Sequence, residues 1–185
     1  MSLTIRHDLD PHGPLPPAKA VLDRLVAAVV LLLAAPWMTL LTVLLWSHGD
    51  GPVLQRERRL GQWGRPFDLL RFRTVDPAGP GTDRVGALLR RICLDELPQL
   101  INVLRGEMSL VGPRATSPAD GRRATMTVTR LALKPGLIGL DELGEGRAGE
   151  DAPAVVDRYL REWSLRLDVV ILWHAVRRAA RGPAV

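Results

Sequence analysis

Residues 20–52 read AVLDRLVAAVVLLLAAPWMTLLTVLLWSHGDGP. From Leu25 to Trp46 no side chain carries a charge. Wound as a helix at ~1.5 Å per residue, that run measures about 33 Å, enough to cross the hydrocarbon core of a bilayer. A cleaved leader fits poorly, because the run is long, starts late and is followed by no clear small-x-small site. A helix in a soluble core is also a poor fit at that length. Pro36 stands almost at the midpoint, where it removes a backbone donor and kinks a helix. Lys19 and Arg24 precede the run, and Arg56, Arg58 and Arg59 follow it. Positive residues mark the cytoplasmic side, so both ends are expected there. Two paths stand open: a spanning anchor with a tolerated proline, or a hairpin that breaks at Ala35-Pro36 and returns within one leaflet.

Outward from this run the chain changes character. Residues 1–18, with HDLDPHGPLPP, read as a flexible tail. Beyond residue 48 no second apolar run of that length occurs, so a small polar domain hangs on one membrane element. The chain has 185 residues, enough for one domain with a real core. Its net charge is +5, and Lys19 and Lys134 are the only lysines, so the basic excess is arginine. Arginine suits bidentate contact with phosphate or carboxylate, although solvated faces account for such an excess as well. The single cysteine, Cys93, excludes an intrachain disulfide and points to a reducing compartment.

After the membrane run, Gly61, Gly64 and Pro66 are turn signals with a hairpin or short strands expected around them. In LLRFRTV apolar and basic residues alternate, so Arg71 and Arg73 are expected on one face of an extended segment. Such a pair suits a diphosphate, or a solvated strand edge. Residues 94–114 read LDELPQLINVLRGEMSLVGPR. Leu97, Leu100, Ile101 and Leu104 have helical spacing, Gly106 is a plausible residue after the helix, and Pro98 is tolerated only in a first turn. Asp95 and Glu96 then stand at a helix N-terminus, where the dipole and free amides favour anions and depress a carboxylate pKa. A cap plus a first-turn acid explains them as a structural feature. With Arg90 and Arg91 a turn earlier and Arg114 after a Gly-Pro turn, a second reading arises: one acid attacks phosphorus and the other holds a divalent metal. Zinc chemistry finds no ligand set, since the four His are scattered and Cys93 has no partner at ligand spacing. Walker, GxGxxG and GxSxG motifs are missing. Two Phe, one Tyr and no recognisable RNA or DNA motif argue against a nucleic-acid partner.

The run LLRRICLDELPQLINVLRGEMSLVGPR resembles the core signature of the bacterial sugar transferases, the monotopic phosphoglycosyl transferases. Matching segments flank it: the helix with its central proline, the GPV turn, RxRxLG ending at Gly61, RFRT at Arg71–Thr74, KPGLIG at Lys134–Gly139, and a closing region at Tyr159, Ser164 and Asp168. The resemblance runs from about Lys19 to Arg181. It implies transfer of a sugar 1-phosphate from a UDP-sugar to undecaprenyl phosphate, with UMP released, at the cytosolic face of the cytoplasmic membrane. The product would initiate a bacterial surface glycan. It implies Mg²⁺ as cofactor, Asp95 as nucleophile, Glu96 as metal residue, and Arg90 and Arg114 on phosphate. Arg71, Arg73, Arg147 and Asp157 join as candidate substrate- or phosphate-binding residues, and the re-entrant hairpin at Pro36 becomes the expected path.

The fold expected is mostly α with a small β element. A re-entrant membrane helix over 19–48 precedes a compact cytosolic catalytic domain over 49–181, with interfacial amphipathic helices and a tail at 182–185. A homodimer rests on analogy alone. The last amphipathic stretch places Leu160, Trp163, Leu167, Val170 and Trp173 near one face, with Arg161, Arg166, Arg177 and Arg178 suited to anionic headgroups. A helix facing a soluble core reads the same pattern. Several positions depart from the family: Glu57 for Gln, Cys93 for Ser or Thr, Ala115 for Pro, Ile138 for Thr, and Glu142 for Gln. Acid in place of amide near a nucleotide bears on donor choice. A membrane-tethered, non-catalytic relative that binds UDP-sugar or prenyl phosphate is the alternative.

Overall fold

The structure is a computed structural model that describes residues 15–47, 51–74, 86, 89–90, 93–118, 131–139 and 152–181. It is mostly helical with two small sheets. The apolar run forms α1 (Pro17–Ser47), long and apolar enough to cross a membrane. The break expected at Ala35-Pro36 is not a break in secondary structure: α1 continues through Pro36. One missing donor leaves the turns on either side intact. The hydroxyls of Thr39 and Thr42 donate to the carbonyls of Ala35 (2.9 Å) and Met38 (2.8 Å), a bond that bends helices without ending them.

One stripe of α1 faces the rest of the protein. Lys19, Asp23 and Ala27 are buried at one end, and Leu41 and Leu45 at the other. The opposite side leaves Leu25, Leu32, Leu33, Trp37, Val43 and Trp46 exposed. Both ends of the helix therefore rest on the same body.

The expected hairpin is present. Strand β1 (Leu54–Leu60) pairs antiparallel with β2 (Pro66–Phe72), from Leu54 opposite Phe72 to Leu60 opposite Pro66. The turn needs left-handed backbone at Trp63 (φ 58°) and Gly64 (φ 70°). A short 3₁₀ turn, Leu94–Glu96, leads into α2 (Gln99–Arg105), which ends at Gly106 in the left-handed conformation (φ 78°), as its sequence predicts. Asp95 and Glu96 thus occupy a separate turn, and Pro98 directly precedes α2 without a side-chain cap. Helix α2 also turns another face inward: Gln99, Leu100, Asn102 and Val103 are buried while Leu104 is exposed.

Asn102 accounts for that rotation. Its Oδ1 accepts the Leu70 N–H (3.1 Å), and its Nδ2 donates to the Asp68 carbonyl (2.8 Å) and to Glu107 (2.6 Å). The amide satisfies the free edge of β2 as a neighbouring strand would, so α2 must turn this polar position toward the sheet.

Strands β3 (Ser109–Gly112) and β4 (Gly136–Gly139) run parallel, with Val111 opposite Ile138. Their backbones meet at Gly112 and Gly136; a Cβ on Gly112 would lie 2.5 Å from the Lys134 carbonyl. Helices α3 (Ala152–Glu162) and α4 (Leu165–Arg181) divide the expected single closing helix at Trp163-Ser164. There the Ser164 Oγ accepts the Leu167 N–H (3.1 Å), capping α4. The main core gathers Ala27, Phe67, Leu100, Val103, Val111 and Tyr159, with Val155, Val156 and Ile171 from the closing helices. A second cluster joins Leu41 and Leu45 to Phe72 and Leu89.

Candidate active site

The acidic pair is shaped by a local conformation that few residues adopt. Cys93, just ahead of it, is left-handed (φ 56°), a backbone state that costs energy in a non-glycine residue and concentrates at functional turns. The turn buries Asp95, 5 % exposed, and leaves Glu96 partly open beside Arg71. Arg71 comes from β2 and ion-pairs with Glu96. A cleft forms where these elements meet, lined by Arg59, Arg71, Glu96, Gln99, Arg114 and Gly139 among others. The parallel register sets Gly112 opposite Gly139, and Arg114, two residues beyond Gly112, lines the cleft together with Gly139.

Burial dominates the electrostatics. It raises the Asp95 pKa above its ordinary 3.8, opposed by Arg71, by the residue's own backbone N–H and by Arg90. Burial also raises Glu96 above 4.5, against Arg71 and Arg114 and with Asp95 adding repulsion. The depressed pKa expected from a helix dipole is therefore overturned. The acids precede α2 in a separate turn, that helix has only 7 residues, and desolvation wins.

Of the residues singled out in the sequence, Asp95, Glu96, Arg71, Arg90 and Arg114 come together. Arg73 does not join them. It is buried, its Nη2 donating to the Leu45 carbonyl at 2.9 Å, so it fastens the end of α1. The strand ends at Phe72, which removes the alternation that put Arg71 and Arg73 on one face. Arg147, Glu142 and the side chain of Asp157 lie outside the described residues.

Two lining residues were missed by sequence reading, Arg59 and Gln99. Arg59 had counted only as a charge flanking the membrane run, although it lies in the RxRxLG stretch. It pairs with Glu57 and donates to the Ala115 carbonyl at 3.4 Å. Two of the family departures, Glu57 and Ala115, therefore meet at one guanidinium. Among the described residues the buried Nε–H groups of Arg59 and Arg71 have no hydrogen-bond partner. Both residues line the cleft, and guanidinium groups there are suited to the oxygens of a phosphate.

Among the described residues no group of three or more His, Cys, Asp or Glu gathers. Asp95 and Glu96 nevertheless supply adjacent oxygen donors, the kind Mg²⁺ takes when substrate phosphates and water complete its shell. Asp95 is buried and Glu96 part-buried, and desolvation of both outweighs their arginines, so the donor set fits that ion.

Known proteins share this chain's sequence at length. A relative from Caulobacter vibrioides, UDP-glucose:undecaprenyl-phosphate glucose-1-phosphate transferase, is 37% identical over 91% of this chain and 73% of its own. Exopolysaccharide production protein ExoY from Rhizobium meliloti is 33% identical over 86% of this chain and 84% of its own. The Escherichia coli UDP-glucose:undecaprenyl-phosphate glucose-1-phosphate transferase is 31% identical over 83% of this chain but only 38% of its own, so this chain spans well under half of that longer protein. The family model described as bacterial sugar transferase matches residues 16–182, and the chain belongs to that family.

Proposed function

We propose that the protein is a membrane phosphoglycosyl transferase. It moves a sugar 1-phosphate from a UDP-sugar to undecaprenyl phosphate and starts a surface glycan. The names of its relatives supply the substrate classes, and UDP-glucose is the first donor to test. One observation carries the chemistry: Glu96 lines a cleft with Arg59, Arg71 and Arg114, and the buried Asp95 stands directly beside it in the same turn.

An ionised Asp95 oxygen attacks the phosphorus that bears the sugar. The bond between that phosphorus and the bridging oxygen breaks, and UMP leaves with the bridging oxygen. Asp95 then carries the phosphosugar as an acyl phosphate. The terminal oxygen of undecaprenyl phosphate attacks the same phosphorus, giving the diphosphate-linked sugar and restoring the carboxylate. Arg59, Arg71 and Arg114 hold the phosphate oxygens, and Arg90 keeps Asp95 ionisable. Glu96 would hold Mg²⁺, which, when bound, neutralises charge on the phosphoryl oxygens.

The re-entrant path is supported by how α1 is held. Lys19 at its start bonds Asp168 (2.6 Å), and Leu45 near its end bonds Arg73 (2.9 Å), so both ends dock on one body. A crossing helix would carry one end to the far side, away from that body. The exposed apolar positions of α4, Leu165, Val169, Trp173 and Val176, with Arg177 over the Trp173 ring at 5.4 Å, suit an interfacial helix.

The test is release of UMP from UDP-glucose and other UDP-sugars with undecaprenyl phosphate and Mg²⁺. The wild type should turn over and should take a covalent label from donor alone. Asp95→Asn should lose at least about 10³-fold in rate and the label. Labelling that persists in Asp95→Asn would remove Asp95 from the role of nucleophile, and a wild type inert to every donor would favour a binding-only relative.

A further inference from the structure

A second cavity lies at the N-terminal end of α1, lined by Val21, Arg24, Gly106, Ser109, Leu133 and Lys134 among others. It shares only Met108 with the active-site cleft, and Met108, 2 % exposed, is the wall between them. Its acids are already engaged. Asp23 accepts from Ser109 Oγ and from Lys19, and neighbouring Asp168 accepts from Lys19, Tyr159 and Trp163. Two cations are left over. Neither Arg24 nor Lys134 makes a side-chain hydrogen bond or ion pair among the described residues.

The two cations line the same cavity and act on one another. Burial and then the Arg24 charge push the Lys134 ammonium below its ordinary range, with Asp23 opposing more weakly. Arg24 Nη2 lies against Gly106, on the side where a Cβ would stand. Two like charges held together over apolar walls are stabilised by a shared anion. Arg24 is also the last charged residue before the uncharged run of α1, which puts the cavity at headgroup height.

We propose that this cavity is a binding site for an anionic phospholipid, with the headgroup phosphate held between Arg24 and Lys134 and the acyl chains along α1. The site rests on the reading that α1 lies in a bilayer, and it is separate from the reacting carboxylates.

The test uses the full chain in detergent with dioctanoyl phosphatidylglycerol, and inorganic phosphate and dioctanoylglycerol as comparisons. The short phosphatidylglycerol should bind saturably and raise the melting temperature, whereas the neutral diacylglycerol and inorganic phosphate should not. Arg24→Gln and Lys134→Gln should each weaken binding by about tenfold, while Lys134→Arg keeps it. Equal binding by the double glutamine variant overturns the site. Inorganic phosphate matching the lipid overturns the lipid assignment. Flotation with phosphatidylcholine vesicles reads the membrane position of α1 separately. Wild type and double variant should both float, and failure of both would count against the bilayer reading rather than against the phosphate contacts.

Discussion

Asp95 and Glu96 have raised pKa values because the fold desolvates them faster than the arginines compensate. The sign follows from linkage. A carboxyl whose folded pKa lies above its unfolded value binds its proton more tightly in the native state. The pair's contribution to stability is then greatest at low pH and is lost as pH rises through the folded values. Catalysis needs the opposite form, the ionised Asp95. The acid limb of the rate profile should therefore lie above 3.8. Arg71→Gln should move that limb further alkaline, since Arg71 is the strongest cation acting on both acids; pH profiles of kcat/KM measure this. A limb that stays in place would mean Arg71 does not govern the ionisation. Asp95→Asn should unfold at an equal or higher denaturant concentration at neutral pH, because a disfavoured buried charge is gone. At this scale the sequence pointed to the acids and to Arg90 and Arg114 through their spacing. It could not show their pKa direction, because burial depends on what packs over the turn.

Helix α2 and strand β2 are joined through one amide. Asn102 is 0 % exposed and serves Leu70, Asp68 and Glu107 at once. Arg71 follows Leu70 directly, so this junction also sets where the Arg71–Glu96 pair meets. Asn102→Ala leaves a buried N–H and C=O unpaired and should destabilise by about 2–4 kcal/mol in denaturant titration. A loss below about 0.5 kcal/mol would show that water replaces the amide. Apolar spacing predicted that Leu97, Leu100, Ile101 and Leu104 share the inner face. Periodicity ranks leucine above asparagine and carries no information about an unsatisfied strand edge nearby, so the rotation of α2 was illegible. The turn at Gly61–Gly64 and the helix stop at Gly106 were legible, because glycine answers a local backbone need.

Across the molecule, the membrane element is tied to residues far along the chain. Lys19 meets Asp168, and Asp168 also holds Tyr159 and Trp163. Burial and the neighbouring Asp168 raise the Tyr159 pKa strongly, so the phenol stays neutral and donates. Lys19→Met strands a buried carboxylate and should destabilise by about 3–5 kcal/mol in thermal or denaturant unfolding. The double change Lys19→Met, Asp168→Leu should recover part of that loss. No recovery would indicate that Tyr159 and Trp163 depend on the carboxylate itself. Labelling probes at residues 17 and 47 should report the same side of the membrane, and opposite sides would rule out the hairpin.

The sequence by itself determined the long apolar helix, the hairpin with its glycine turn, and the acidic pair with its arginines. Each of these is written in neighbouring residues, through hydropathy, backbone freedom or motif spacing. Only the tertiary structure decided that α1 stays helical through Pro36 and docks at both ends, that Arg73 leaves the site while Arg59 enters it, and that burial raises both acids. Those outcomes depend on which surfaces meet, and contacts such as Lys19 with Asp168 join positions with no local pattern in common.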